Sequence, residues 1–472
     1  MTKYPIYCAG KFITTDTTID VVNPYDNKPF AKTFLASEKE LEEAISAAQK
    51  IENPLGKFPT HKRYEVLSQI AAELSTRRDE FAQNLSMESA KPVRYANSEI
   101  DRAIQTFTIA AEESKRLPKE YISLDWTKAG EGKEGIIKYF PVGLVAGISP
   151  FNFPMNLAVH KIAPAIASGC PIILKPATKT PLSTLKLAEI IDQTELPKGA
   201  VSILPMNRET GNKLVTDERF RLLSFTGSPA VGWKMKSQAG KKKVVLELGG
   251  NAGVIVSDSS DIDHAVERCL LGGFAYSGQV CIHAQRIFVA DAIFNTFIEK
   301  YIRRVEQLKQ GNPVEPETEI SAMIDADNAE RVINWIKEAV DGGAKLLTGG
   351  VRDGLHVKPT VITQTHREMK VCALEIFGPV VVIEKYSGFE TAVEAINDSD
   401  YGLQAGVFTN RLDEMNMAFE KLDMGGVIIN DVPTFRVDHM PYGGNKDSGS
   451  GREGVKYAIR DMMESKILVK PI

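Results

Sequence analysis

Cysteine is scarce and scattered in this 472-residue chain: Cys8, Cys170, Cys269, Cys281 and Cys372 are its five thiols. The number is odd, and no CxxC pair or Cys/His cluster stands at zinc spacing, which argues against a disulfide framework and a structural metal. Reduced thiols fit a compartment such as the cytoplasm. No run approaches the ~18 apolar residues of a transmembrane helix. The amino-terminal MTKYPIYCAGKF has no apolar stretch long enough for a signal peptide, and the carboxy-terminal ILVKPI matches no sorting or lipidation signal. An excess of one charge is lacking too: the net charge is -4, without the basic footprint that nucleic-acid binding favours. The densest basic run, Lys241 to Lys243, reads as a solvated strand end. Internal repeats and low-complexity tracts are absent.

What is present is the composition of an ordinary globular protein, 43% apolar and 25% charged, at a length that calls for two or three domains. Ser37 and Glu40 stand at capping-box spacing and predict a helix start, with Leu41, Ala44, Ile45 and Ala48 on one face. A long helical region follows from about Thr60 to Lys115. Between Pro118 and Pro141, YISLDW and GIIKYF are β-rich runs around a polar loop, a hairpin signal. Such a hairpin either projects to pair with another chain or folds back on its own domain. From Val142, apolar runs (VGLVAGIS, PIILKP, AVSILP, RLLSFTGS, KVVLELGG) alternate with amphipathic segments, the pattern of a parallel sheet covered on both faces. Thr180 and Pro181 form an N-cap and N1 pair for one of those helices. Ligands of such sheets bind beyond the strands' carboxyl ends, which directs attention to Asn152, Lys175 to Thr178, Gly227, Ser228 and Glu247. A second α/β body is expected soon after Glu247. GSGREG, Gly449 to Gly454, matches the dinucleotide fingerprint in letters only, because no strand precedes it.

Cys281, in GFAYSGQVCIHAQR, could be one more small core residue. Other stretches change its standing. SPFNFP (Ser149 to Pro154), LKPATKTP (Leu174 to Pro181), LELGG (Leu246 to Gly250), GQVC (Gly278 to Cys281), EIFGPV (Glu375 to Val380) and PYGGNKDSGSGREG (Pro441 to Gly454) occur in an order that resembles the aldehyde dehydrogenase superfamily across essentially the whole chain. DVPTFRVDHMPYGG is most similar to members handling small polar aldehydes such as lactaldehyde. The resemblance implies an α/β fold with a Rossmann-like cofactor domain (1–118 and 142–249), an α/β catalytic domain (250–458), and an oligomerisation hairpin and tail (119–141 and 459–472) serving a homodimer or homotetramer.

The resemblance also implies roles. Cys281 matches the nucleophile, forming a thiohemiacetal and then a thioester with the substrate. Asn152, with the Cys281 backbone N–H, matches the oxyanion donor. Glu247 matches the general base for thioester hydrolysis; relatives that pass the acyl group to coenzyme A characteristically lack it, so a free acid is the expected product. Lys175 and Glu375, the latter near Phe377, match residues that hold the two riboses of NAD or NADP. Gly211, Gly227 and Ser228 match the pyrophosphate loop, and Ser149, Pro150, Phe151, Ala177, Thr178 and Leu248 flank the same cofactor. Thr178 stands where strictly NAD-selective members often carry an acid; beside Lys179 it should tolerate NADP. Asn207 replaces a glycine common near the adenine. Lys161 and Glu453 match a proton-exit or structural network.

For the substrate, Phe153, His160, His283, Phe435, Arg436 and His439 fall in the segments expected to line or close the entrance. Three of the chain's seven histidines and Arg436 point to a polar or anionic aldehyde, such as a hydroxyaldehyde. Phe151, Phe153 and Tyr442 could equally stack on an aromatic one, and a broad-specificity pocket stays open. No metal is expected.

Overall fold

A computed structural model describes all residues, Met1–Ile472. The capping box forms as its spacing predicts: the Ser37 hydroxyl accepts from Lys39 N, and Glu40 accepts from Ser37 N at 2.8 Å, opening the helix Glu38–Gly56. The long helical region resolves into three helices, Thr60–Thr76, Arg78–Ser89 and Val93–Ser114. The last two are separated by Ala90, in left-handed conformation, and by Pro92.

The alternating segment builds an eight-stranded sheet. Its five parallel strands lie side by side as Lys243–Glu247, Leu222–Thr226, Val145–Ile148, Ile172–Lys175 and Val201–Ile203. Numbered along the chain and read from Val201–Ile203, that order is 3-2-1-4-5, the Rossmann arrangement, whose connections reverse between the first and fourth strands. The carboxyl ends at this reversal are Ile148 and Thr226, so the loops beginning at Ser149 and Gly227 face one crevice. The run 449–463 returns to this body: Gly449–Ser450 pairs antiparallel with Leu246 and Glu247, and Val455, Ile459, Met462 and Met463 join its core.

A second sheet of seven strands runs in the order Lys345–Thr348, Thr360–Thr363, Val380–Tyr386, Ala284–Ala290, Ala252–Val256, Gln404–Phe408 and Gly426–Ile429; all its pairings are parallel except the first. The predicted hairpin is present as Lys119–Ser123 against Lys133–Pro141, and the tail Met463–Pro471 adds a third strand along its other edge.

One helix start differs from expectation. The helix Leu182–Asp192 begins one residue later than the Thr180–Pro181 pair predicts. Its cap comes from far away: the buried Glu88 carboxylate accepts from Leu182 N at 2.7 Å and Ser183 N at 3.0 Å. Its two oxygens satisfy both unpaired helix amides at once, and burial pushes the Glu88 carboxyl up to about 7. Glu88→Ala is expected to cost about 1–3 kcal/mol, the penalty for leaving buried donors unpaired. The thermal-unfolding midpoint measures it; an unshifted midpoint would contradict the cap.

Candidate active site

The polypeptide reaches Cys281 through a strained turn. Tyr276 and Ser277 have φ of 50° and 53°, uncommon for residues with a Cβ. Gly278 follows at +68°, and a Cβ there would sit 2.1 Å from the Gly378 carbonyl oxygen. The glycine of GQVC and that of EIFGPV are therefore two sides of one backbone contact. The turn leaves Cys281 partly exposed, whereas the other four cysteines are buried. The Tyr442 hydroxyl lies 3.2 Å from its Sγ. Burial pushes the thiol up to about 11, with the Tyr442 hydrogen bond opposing.

Asn152 stands in the loop after the strand Val145–Ile148 and is buried. Its Nδ2 donates to the Gln279 carbonyl at 3.1 Å. Since an amide nitrogen carries two protons, fixing one aims the other. Glu247 ends its strand fully enclosed, and neither carboxyl oxygen has a protein hydrogen-bond partner. Burial and the nearby Glu453 push this carboxyl well above the usual range, against the pull of Arg436, Lys161 and Arg452.

Two cavities meet at Cys281. The larger, about 450 Å³, opens at the Rossmann crevice and is lined by Pro150, Phe151, Asn152, Gly227, Ser228, Leu248, Glu375 and Phe377 among others. Ser228 is the N-cap of the helix Pro229–Gln238, whose unpaired amides suit a phosphate. Glu375 accepts from Gly250 N at 3.0 Å, and burial pushes its carboxyl up to about 7. Lys175 ends its strand against Gly211, where a Cβ would lie 2.9 Å from Lys175 Cε; burial and Arg208 lower its ammonium to about 8. A lysine at a strand end and a carboxylate in the cavity lining, neither with an ion-pair partner of its own, fit the donor and acceptor needs of a dinucleotide, although Lys175 itself lies outside that lining. Ser149 N donates to the Lys175 carbonyl, joining the two loops. Ala177 is half-buried and Thr178 exposed. Lys179, expected to present its charge beside Thr178, is instead ion-paired with Asp325 across the cleft.

The second cavity, about 190 Å³, is a funnel to the other side of Cys281. Of the six residues predicted for substrate contact, it contains Phe153 and Arg436. The other four stand elsewhere. His283 is packed in the second body, its Nε2–H donating to the Gly273 carbonyl at 2.8 Å, and burial lowers it to about 4. His160 lies behind the funnel, with Nε2 2.8 Å from Asp438 Oδ1. Phe435 and His439 are solvent-exposed outside the lining. These four stand outside the funnel lining, since neighbouring residues in a loop alternate between cavity and core.

The funnel's other wall comes from Tyr95, Ser98 and Arg102 on the helix Val93–Ser114, with Lys91 just before it. Sequence reading missed them. Polar residues at i, i+3 and i+7 mark one face of a helix that otherwise buries its side chains, and that stripe was the available signal. Arg102 is held by the buried Asp438, Nη2 donating to Oδ1 at 2.6 Å and Nε to Oδ2 at 3.2 Å.

A sequence profile described as the Aldehyde dehydrogenase family matches residues 12–468. The chain belongs to the aldehyde dehydrogenase family. It is 42% identical over 469 residues to a 3-sulfolactaldehyde dehydrogenase of Priestia aryabhattai, covering 99% of this chain and 98% of that protein. A lactaldehyde dehydrogenase of Methanococcus aeolicus is 39% identical, covering 96% of this chain and 97% of its own. Among solved structures, aldehyde dehydrogenase 21 from Physcomitrella patens, in complex with the reaction product succinate, superposes with a TM-score of 0.98 at 48% identity, covering 100% of this chain and 98% of that one. A Methanocaldococcus jannaschii glyceraldehyde-3-phosphate dehydrogenase complexed with NADP gives 0.92 at 37%, covering 96% and 99%.

Although Cys281 is partly exposed as a residue, its thiol is pushed up to about 11 by desolvation and should be poorly ionised at neutral pH without ligands. Its alkylation by iodoacetamide is expected to rise about tenfold per pH unit between 7 and 9, without a plateau below pH 9. Mass spectrometry of the modified peptide measures it; a plateau near pH 7 would contradict the burial argument.

Proposed function

We propose that this aldehyde dehydrogenase oxidises a short aldehyde with a polar, anionic end group to the carboxylic acid, using NAD or NADP. The carrying observation is the pair of guanidiniums, Arg102 and Arg436, on the wall of the funnel that ends at Cys281. Each is oriented by buried carboxylates: Arg102 by Asp438, and Arg436 by Glu453, which accepts from Nη2 at 3.0 Å. Arginines so held present their remaining N–H groups to a sulfonate, carboxylate or phosphate without reorganising. The relatives' names, 3-sulfolactaldehyde and lactaldehyde dehydrogenase, and the succinate complex agree with such a substrate. The aromatic alternative is disfavoured because two rings in the funnel already have a face occupied. Lys91 Nζ lies 3.8 Å from the Phe153 centroid and Arg436 Cζ 3.7 Å from that of Tyr442.

In this reading Cys281 Sγ, once deprotonated, adds to the aldehyde carbon. The carbonyl oxygen becomes an oxyanion held by the free Asn152 N–H and the Cys281 backbone N–H, in a site from which water is largely excluded. The chemistry that NAD or NADP would supply, when bound in the larger cavity, is acceptance of a hydride, the hydrogen on the former aldehyde carbon together with its two bonding electrons, which leaves a thioester on Cys281. Pro150, Phe151 and Leu248 line that cavity together with Cys281. The acyl group is released from Cys281 when Glu247 takes a proton from a water that attacks the thioester carbon, and the thiolate leaves. Glu247 lines neither cavity at rest and no hydrogen bond fixes its carboxylate, so acting on the thioester requires its side chain to rotate toward Cys281. Its raised affinity for a proton sets the sign of the pH effect. The neutral acid cannot act as a base, so hydrolysis should accelerate as pH rises through its titration.

Two outcomes follow. Glu247→Gln should retain a single-turnover burst of reduced cofactor while steady-state turnover falls at least about 10²-fold and loses its alkaline rise; an unchanged steady-state rate would remove Glu247 from the mechanism. A kinetic panel of sulfonate-, carboxylate-, phosphate-bearing, neutral and aromatic aldehydes, run with each cofactor, should favour the anions. Arg102→Leu should then raise KM for them about 10- to 100-fold, the worth of a charged hydrogen bond. Preference for benzaldehyde would overturn the substrate assignment.

A further inference from the structure

Lys91 is fully enclosed, with no exposed surface. A buried ammonium persists only where other groups replace its water, and here those groups come from both α/β bodies. Lys91 is ion-paired with Glu99, itself buried. Its Nζ donates to the Asn152 carbonyl oxygen at 2.6 Å. It faces the Phe153 ring at 3.8 Å and the Tyr276 ring at 4.5 Å. Glu99 extends the grip: its Oε1 accepts from Met155 N at 2.9 Å and Asn156 N at 3.1 Å. The pair therefore holds the 152–156 loop at three backbone atoms. Tyr276 belongs to the strained turn before Cys281, and its hydroxyl donates to the Ser89 carbonyl at 2.9 Å, two residues from Lys91. One ammonium thus contacts the backbone of Asn152 on one side and the turn that carries the nucleophile on the other.

We infer that Lys91, with Glu99, is the positioning residue of the oxyanion site, setting where the Asn152 amide stands relative to Cys281. Neither residue touches the reacting atoms in this role. Lys91 fixes the Asn152 main chain, and the Asn152–Gln279 hydrogen bond then fixes the side chain across the boundary between the bodies. Simple core filling would not call for a charge, since a methionine occupies similar volume without the cost of dehydration. The inference rests on the reading of Asn152 as oxyanion donor.

A double-mutant cycle separates the two. Lys91→Met, Asn152→Ala and the double variant are assayed for kcat and for the KM of aldehyde and cofactor. Asn152→Ala should lower kcat about 10²- to 10³-fold. Lys91→Met should lower it on the order of 10²-fold through misplacement of the donor, with cofactor KM little changed and Lys91→Arg recovering part of the loss. Because both act through one hydrogen-bond donor, the double variant should be no slower than Asn152→Ala alone within about threefold. Losses that multiply, or an unimpaired Lys91→Met, would overturn the inference. An unimpaired Asn152→Ala would instead overturn the reading beneath it. Glu99→Gln, nearly identical in shape, enters the same cycle if Lys91→Met does not fold, with the same criteria.

Discussion

The hydrogen bond from Asn152 Nδ2 to the Gln279 carbonyl is short in span and central in consequence. It joins the loop at the Rossmann crevice to the turn before Cys281, so it closes the gap between two sheets that share no strand. Everything that the site does requires a group from one body to stand within bonding distance of a group from the other. The first body supplies the crevice, Asn152 and Glu247; the second supplies the thiol, Glu375 and Phe377. The two cavities meet at this seam, and Cys281 lines both.

The seam is also where charge is buried most heavily. Lys161 donates to Thr226 at 2.7 Å and lies 3.3 Å from Glu453, which also binds Arg436; Asp438 receives Arg102 and His160. Buried ions survive in such sets because each partner's field replaces lost hydration. Glu247 is the exception, a carboxyl beside these ions with no hydrogen bond of its own. Its elevated proton affinity follows from that exclusion. Glu453 is held ionised by Lys161, His160 and Arg436 although burial opposes it, and its charge, together with burial, pushes Glu247 toward the neutral acid.

Much of this was legible beforehand. The apolar runs from Val142 onward had the length and continuity of buried parallel strands, and their carboxyl ends pointed to Asn152, Gly227 and Ser228, which do line the larger cavity. Motif order marked Cys281, Glu375 and Phe377. The substrate wall was read less well. His283 is suggested by its nearness to Cys281 and His160 by its place in the family pattern, and each turns a ring nitrogen to a partner inside the protein. Arg102 and Lys91 were overlooked because helix residues far from every motif reach the funnel only after that helix packs on the loop 152–156. Thr180 lost its predicted capping role to Glu88 for the same reason: a carboxylate 94 residues away in the chain outcompetes a local hydroxyl.

By itself, then, the sequence determined what depends on periodicity and short-range order: the parallel sheets, the capping box at Ser37, the hairpin, and the residue types available for thiol chemistry. Hydrophobic spacing and local hydrogen bonds act within a few residues, so they can be read from a line of letters. Tertiary structure alone decided which of those residues share a cavity, which charges neutralise one another, and which carboxyl stays without a partner. Those outcomes depend on distances between segments that are remote in the chain, and electrostatic energies of buried groups change steeply with such distances.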